Sequence, residues 1–115
     1  MGPQERPDHG MIRLEEMHRV GPGVDVQVEG ELDPSGAGVV GEALNLYAEQ
    51  GVGQVRLIID GLRRPDPETC EFLRQLAREH RDLLLASRSR FLRELLKRHG
   101  VAVEDLTPRA SGGRG

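Results

Sequence analysis

Val24, Val26 and Val28 alternate with Asp25, Gln27 and Glu29, a period of two that sets the valines on one side of an extended chain. Val20-Gly-Pro-Gly just before them is turn chemistry, and Ile12 to Met17 is a short mixed segment, so the two stretches predict a half-buried hairpin. The period then changes. Val40, Ala43, Leu44 and Tyr47 recur at helical spacing between Asp33-Pro34 and Gly51. Asp33 can accept bonds from the free amides of a first turn, and Pro34 at the first helical position gives up no donor. Val55 to Ile59 is a nearly continuous run of β-branched residues and Leu, which predicts a central strand covered by helices on both faces.

The same start signal recurs at Asp66-Pro67-Glu68-Thr69, after which Cys70, Leu73, Leu76 and Ala77 mark one face of a second helix ending near Arg81. Leu83 to Ala86 is short and apolar enough for a strand. Ser89 can cap a third helix whose Leu92, Leu95 and Leu96 face inward until Gly100 stops it, and Val101 to Val103 reads as a last short strand. The order β-β-α-β-α-β-α-β predicts an α/β fold: one mixed sheet, its later strands parallel and joined by right-handed crossovers, with helices packed on it. Residues 1–10 and 107–115 are rich in Gly, Pro and polar groups and read as disordered tails around a domain at 11–106.

Composition narrows the picture. A chain of 115 residues fits one domain, and with 3% aromatics its core must be built from Leu, Val and Ile. No run is long and apolar enough to span a membrane, and residues 1–10 lack the apolar stretch of a secretory signal, so direct membrane insertion is not expected and a cytoplasmic location is. The single Cys70 allows no internal disulfide, and His9, His18, His80 and His99 show no ligand spacing with it or with each other, which excludes a zinc site. Charge is uneven: residues 1–60 hold 4 Arg against 11 acidic residues, and residues 61–100 hold 10 Lys and Arg against 6. A net charge of −3 with so few aromatics argues against nucleic-acid binding, whereas a polarised surface suits a protein partner of complementary sign.

Two chemical groupings are weighed and set aside. Gly36-Ala37-Gly38-Val39-Val40-Gly41 matches G-x-G-x-x-G, with Asp60 at the end of the next strand, as a dinucleotide site would require. Glu29, Glu31 and Asp33 would repel a pyrophosphate there, and the preceding strand alternates instead of being apolar. The glycines therefore read as close-packing positions in a helix they weaken, with no cofactor implied. Asp60, Asp66 and Glu68 could gather at the carboxyl ends of strands, but no histidine or lysine is placed to complete a catalytic or metal constellation. Cys70 falls on an apolar helix face, where a thiol is inert.

Gly30-Glu31-Leu32-Asp33 after the second strand, Asp66-Pro67-Glu68-Thr69 opening the helix after the third, Ser89-Arg90 and Gly100-Val101 stand in one order along the chain. With these elements the chain resembles the STAS domains of anti-sigma factor antagonists over residues 11–106. The resemblance implies a non-enzymatic module that docks on a protein partner, in the sigma-regulatory case an anti-sigma factor with a serine-kinase fold. It also implies a phosphoacceptor at the second Ser of an Asp-Ser-Ser-Gly element, whose phosphorylation releases the partner. Laid on without gaps, that position is Glu68, with Asp66 retained and Thr69 in place of the Gly. A phosphoserine in a first helical turn carries about −1.5 to −2 charges and Glu carries −1, so Glu68 either imitates the phosphorylated state or is an ordinary first-turn acid. Thr69 is the remaining hydroxyl that could be phosphorylated. The expected partner-binding residues are Asp33, Arg63, Arg64, Asp66, Glu68 and Thr69. Other tasks open to the resemblance are an adaptor subunit of a lipid-trafficking ABC transporter or of a signalling scaffold. A small nucleotide-binding α/β domain is the reading from another class.

Overall fold

The computed structural model describes residues 12–63 and 66–106, so the expectations for the two tails and for Arg64 lie outside the described residues. β1 (Ile12–Val20) and β2 (Gly23–Gly30) form the predicted antiparallel hairpin, with Leu14 opposite Val28 and Arg13 opposite Glu29. β1 is longer than its apolar content suggested because Arg13 and Glu15 point to the exposed face while Ile12 and Leu14 pack against the core. α1 (Pro34–Glu49) then leads to β3 (Gln54–Leu62), α2 (Pro67–Glu79) to β4 (Leu83–Ser87), and α3 (Arg90–Arg98) to β5 (Glu104–Asp105). The five strands lie in the order β1-β2-β3-β4-β5, and every pair after the hairpin is parallel.

Each parallel crossover steps one strand in the same direction, and right-handed crossovers of that kind stack their helices on one face. The core is there: Val24, Val26, Val28, Val55, Leu57, Ile59, Leu83 and Leu85 of the sheet are buried with Val40, Leu44, Cys70, Leu73, Leu76 and Leu96 of the helices. On the other face Asp25, Gln27, Arg56, Ile58 and Leu84 keep partial exposure. β3 is central as expected, but it is not covered on both faces. Arg56 marks the open side, bonded to Asp25 at 2.9 Å and to Glu104 at 3.4 Å. The apolar run concealed this because Ile58, which shares that side with Arg56, is only half-buried.

The last strand also differs from expectation. Val101 to Val103 is unpaired, and β5 begins at Glu104 opposite Ala86. Gly100 turns the chain at φ 80°, and the Val101 amide donates back to the Leu96 carbonyl at 2.9 Å, closing the end of α3. Val101 is 4% exposed and belongs to the core. Its amide therefore serves the helix end and not the sheet, and pairing is delayed by three residues.

Candidate functional site

Parallel strands deliver their following helices to one edge of a sheet, so the starts of α1 and α2 stand side by side beyond the carboxyl ends of β2 and β3. Gly30 leaves β2 at φ 115°, a conformation that disfavours any side chain, and its carbonyl accepts the Arg63 amide at 2.8 Å. That bond ties the two strand exits together. Glu31, Leu32, Asp33, Arg63, Asp66, Glu68 and Thr69 consequently line one small cleft of about 90 Å³. Five of the six residues expected to bind a partner meet in it. The sixth, Arg64, lies outside the described residues. Glu31 and Leu32 were not expected there, although both stand inside the Gly-Glu-Leu-Asp element and could have been found from it.

The caps fix the cleft walls. Asp33 Oδ1 accepts the Gly36 amide at 2.7 Å, and Asp66 Oδ1 accepts the Thr69 amide at 2.8 Å. Both are first-turn caps that orient a carboxylate beside a helix start. The Thr69 amide, and after it the Thr69 hydroxyl, hold the Asp66 carboxyl below its usual range. Glu68 sits exposed in the first turn of α2, where the helix end favours a negative charge. Arg63 is exposed and forms no ion pair among the described residues. The cleft thus sets a guanidinium with no ion pair among the described residues amid four carboxylates.

Two solved structures share this architecture. One is an anti-sigma factor antagonist from Mycobacterium paratuberculosis, 13% identical, with a TM-score of 0.61 over 83% of this chain and 86% of that one. Another is the anti-sigma factor antagonist SpoIIAA in its unphosphorylated form, 18% identical, with a TM-score of 0.59 over 88% of this chain and 92% of that one. The chain has the STAS fold. No family model and no curated protein matches the sequence itself.

On this STAS fold Thr69 is not the exposed acceptor that a kinase needs. It is 5% exposed, with its hydroxyl on Asp66, so a kinase reaches it only if the first turn of α2 opens. Asp60 takes no part in the cleft either. Its carboxylate accepts the Ser87 hydroxyl and the Arg88 amide, and Ser87 in turn accepts the Ser89 amide at 2.9 Å. This chain of bonds anchors the start of α3 and engages the acid that a nucleotide site would have used. Gly36, Gly38 and Gly41 lie within α1 and not in a loop before it, and the Gly36 amide is occupied by Asp33. Cys70 is buried, and desolvation, then the nearby Asp66 charge, push its thiol up, as suits an inert core residue.

Proposed function

We propose that this protein is a non-enzymatic STAS interaction module of a partner-switching system, docking through the cleft between the starts of α1 and α2. The observation that carries the reading is the convergence of Glu31, Asp33, Arg63, Asp66, Glu68 and Thr69 on one cleft, from segments thirty residues apart. The partner is a protein, an anti-sigma factor with a serine-kinase fold, and the phosphoserine switch is absent. At residue 68 a fixed carboxylate stands where the resemblance places a phosphorylated hydroxyl. It has about half the charge of a phosphoserine, and it cannot be removed by a phosphatase. The module is then held in one state and responds to partner concentration instead of to a kinase. A nucleotide-binding reading is disfavoured by the occupied Gly36 amide and the committed Asp60.

The test is affinity capture of the tagged protein from its native cytosol, comparing wild type, Glu68→Ser, and Arg63→Glu combined with Arg64→Glu, with mass spectrometry of what is retained. A kinase-like anti-sigma factor held weakly by wild type, strongly by Glu68→Ser and not by the charge-reversed pair supports the reading. Equal capture of transporter or scaffold subunits by all three forms would make the protein an adaptor and residue 68 structural.

A further inference from the structure

A second surface lies on the far side of α2 from the cleft, where β4 meets the end of the chain. β5 pairs only with Ala86 and Ser87, so Leu83, Leu84 and Leu85 have no strand partner on that edge. Counting back from Glu104 opposite Ala86, Val101 to Val103 would lie beside Leu83 to Leu85, yet no ladder forms there. The gap is a slot of about 370 Å³ lined by leucines 83 to 85, Val101, Val103 and the α2 residues Arg74, Ala77 and Arg78. Its floor is apolar and its rim is cationic. Arg74 and Arg78 stand one helical turn apart, on either side of the small Ala77. Arg74 reaches over the slot's end, its Nε within 3.9 Å of where a Cβ on Gly100 would lie, and its ion pair with Glu71 is long and exposed at 3.3 Å. Arg78 forms no ion pair among the described residues. Among the described residues the one acid lining the slot, Glu104, is engaged by Arg56 at 3.4 Å.

We propose that this slot binds an extended acidic segment of a protein partner, added along the open edge of β4 with its carboxylates on Arg74 and Arg78. The stretch of the β4 edge that β5 leaves unpaired, where the Leu83 amide is already taken by the His80 carbonyl at 3.1 Å, keeps backbone groups that a peptide can satisfy and an alkyl chain cannot. Apolar flanks accept alternate side chains of the added strand, and the two guanidiniums select its charge. The volume is on the scale of a short extended segment and too small for a helix. The site is distinct from the cleft of Glu31 to Thr69, so the module could hold a partner at one place and an acidic tail at another.

The experiment is amide-resolved NMR titration of the full chain with a blocked peptide alternating Val and Glu, and with its Val and Lys counterpart. We expect the acidic peptide to shift the amides of leucines 83 to 85 and of residues 100–103, and the Lys peptide to shift neither. Arg74→Glu with Arg78→Glu is expected to weaken the acidic peptide by roughly tenfold or more. Both substitutions are on the exposed side of α2, and the unchanged remainder of the amide spectrum verifies folding. The proposal is overturned by no shift at millimolar peptide, by equal response to both peptides, by shifts centred on residues 31–33 and 66–69, or by unchanged affinity after charge reversal. Octanoate shifting the slot amides where the peptide does not would make it a site for a small anionic amphiphile instead, and would equally sink the proposal.

Discussion

Replacing Gly36 and Gly38 one at a time by Ala separates two roles within the same Gly-rich stretch. Both lie in α1, and in a helix interior Gly is about 0.8–1.0 kcal/mol worse than Ala. At Gly38 an added Cβ has nothing within 4 Å, so the helix gain is uncompensated. Gly38→Ala should therefore stabilise by about 1 kcal/mol, raising Tm by roughly 3 to 6 °C for a domain of this size. At Gly36 an added Cβ would stand 2.8 Å from the Glu31 carbonyl oxygen, and 3.4 Å from both Asp33 Oδ1 and the Ile12 Cβ. The carbonyl is backbone and belongs to the strand exit that shapes the cleft. Making room there costs about 1–3 kcal/mol, more than the propensity gain returns. Gly36→Ala should lower Tm. Thermal unfolding followed by far-UV circular dichroism reads both signs in one buffer. A Gly38→Ala protein that melts lower would show that residue 38 faces something, and a Gly36→Ala protein that melts higher would show that the close approach to Glu31 does not exist. Either result refutes the reading of these glycines as one packing position and one open position.

Three further outcomes are expected. The Asp66 carboxyl is held below its ordinary value near 3.8, so its contribution to stability is complete above that value and fades as pH falls through the lower folded value. Asp66→Asn should therefore flatten the acid limb of stability, seen as a smaller drop in urea midpoint between about pH 6 and about pH 3 than in wild type; an identical drop would remove Asp66 as a source of that limb. Asp60→Ala leaves the fully buried Ser87 hydroxyl and the Arg88 amide without their acceptor, a loss of about 1–3 kcal/mol measurable by urea unfolding. Cys70 should not react with Ellman's reagent in the native protein at neutral pH and should react fully in denaturant; rapid native reaction would contradict its 0% exposure.

Local signals carried most of the fold. The Asp33-Pro34 and Asp66-Pro67 starts and Ser89 all proved to be helix caps, the third accepting the Leu92 amide at 3.2 Å, because capping is decided within three residues and needs no tertiary information. The alternation of Val24, Val26 and Val28 likewise declared which face is buried. What failed depends on partners far away in sequence. Whether β3 carries one helical layer or two is set by the order of the strands, which a run of apolar residues does not encode, and Arg56 inside that run was the only local clue. Val101 to Val103 has the composition of a strand, yet its first amide is claimed by Leu96, and that competition is invisible until the third helix has a known end.

The cleft shows how such local legibility becomes a site. Asp33 and Asp66 are ordinary caps when taken singly, each satisfying an amide of its own helix. Parallel pairing of β2 with β3 brings the two caps to one sheet edge, and the bond from the Arg63 amide to Gly30 sets the guanidinium-bearing segment between them. Asp33 and Asp66 each give Oδ1 to a cap, Asp66 accepting the Thr69 hydroxyl as well, while exposed Glu68 and Arg63 supply charge of both signs. A surface of that kind discriminates by register: a partner with its own charges misplaced by one position meets like charge at several points at once. The caps can therefore serve stability and specificity together, which is why residues found as helix starts in the sequence reappear as the wall of the proposed docking surface.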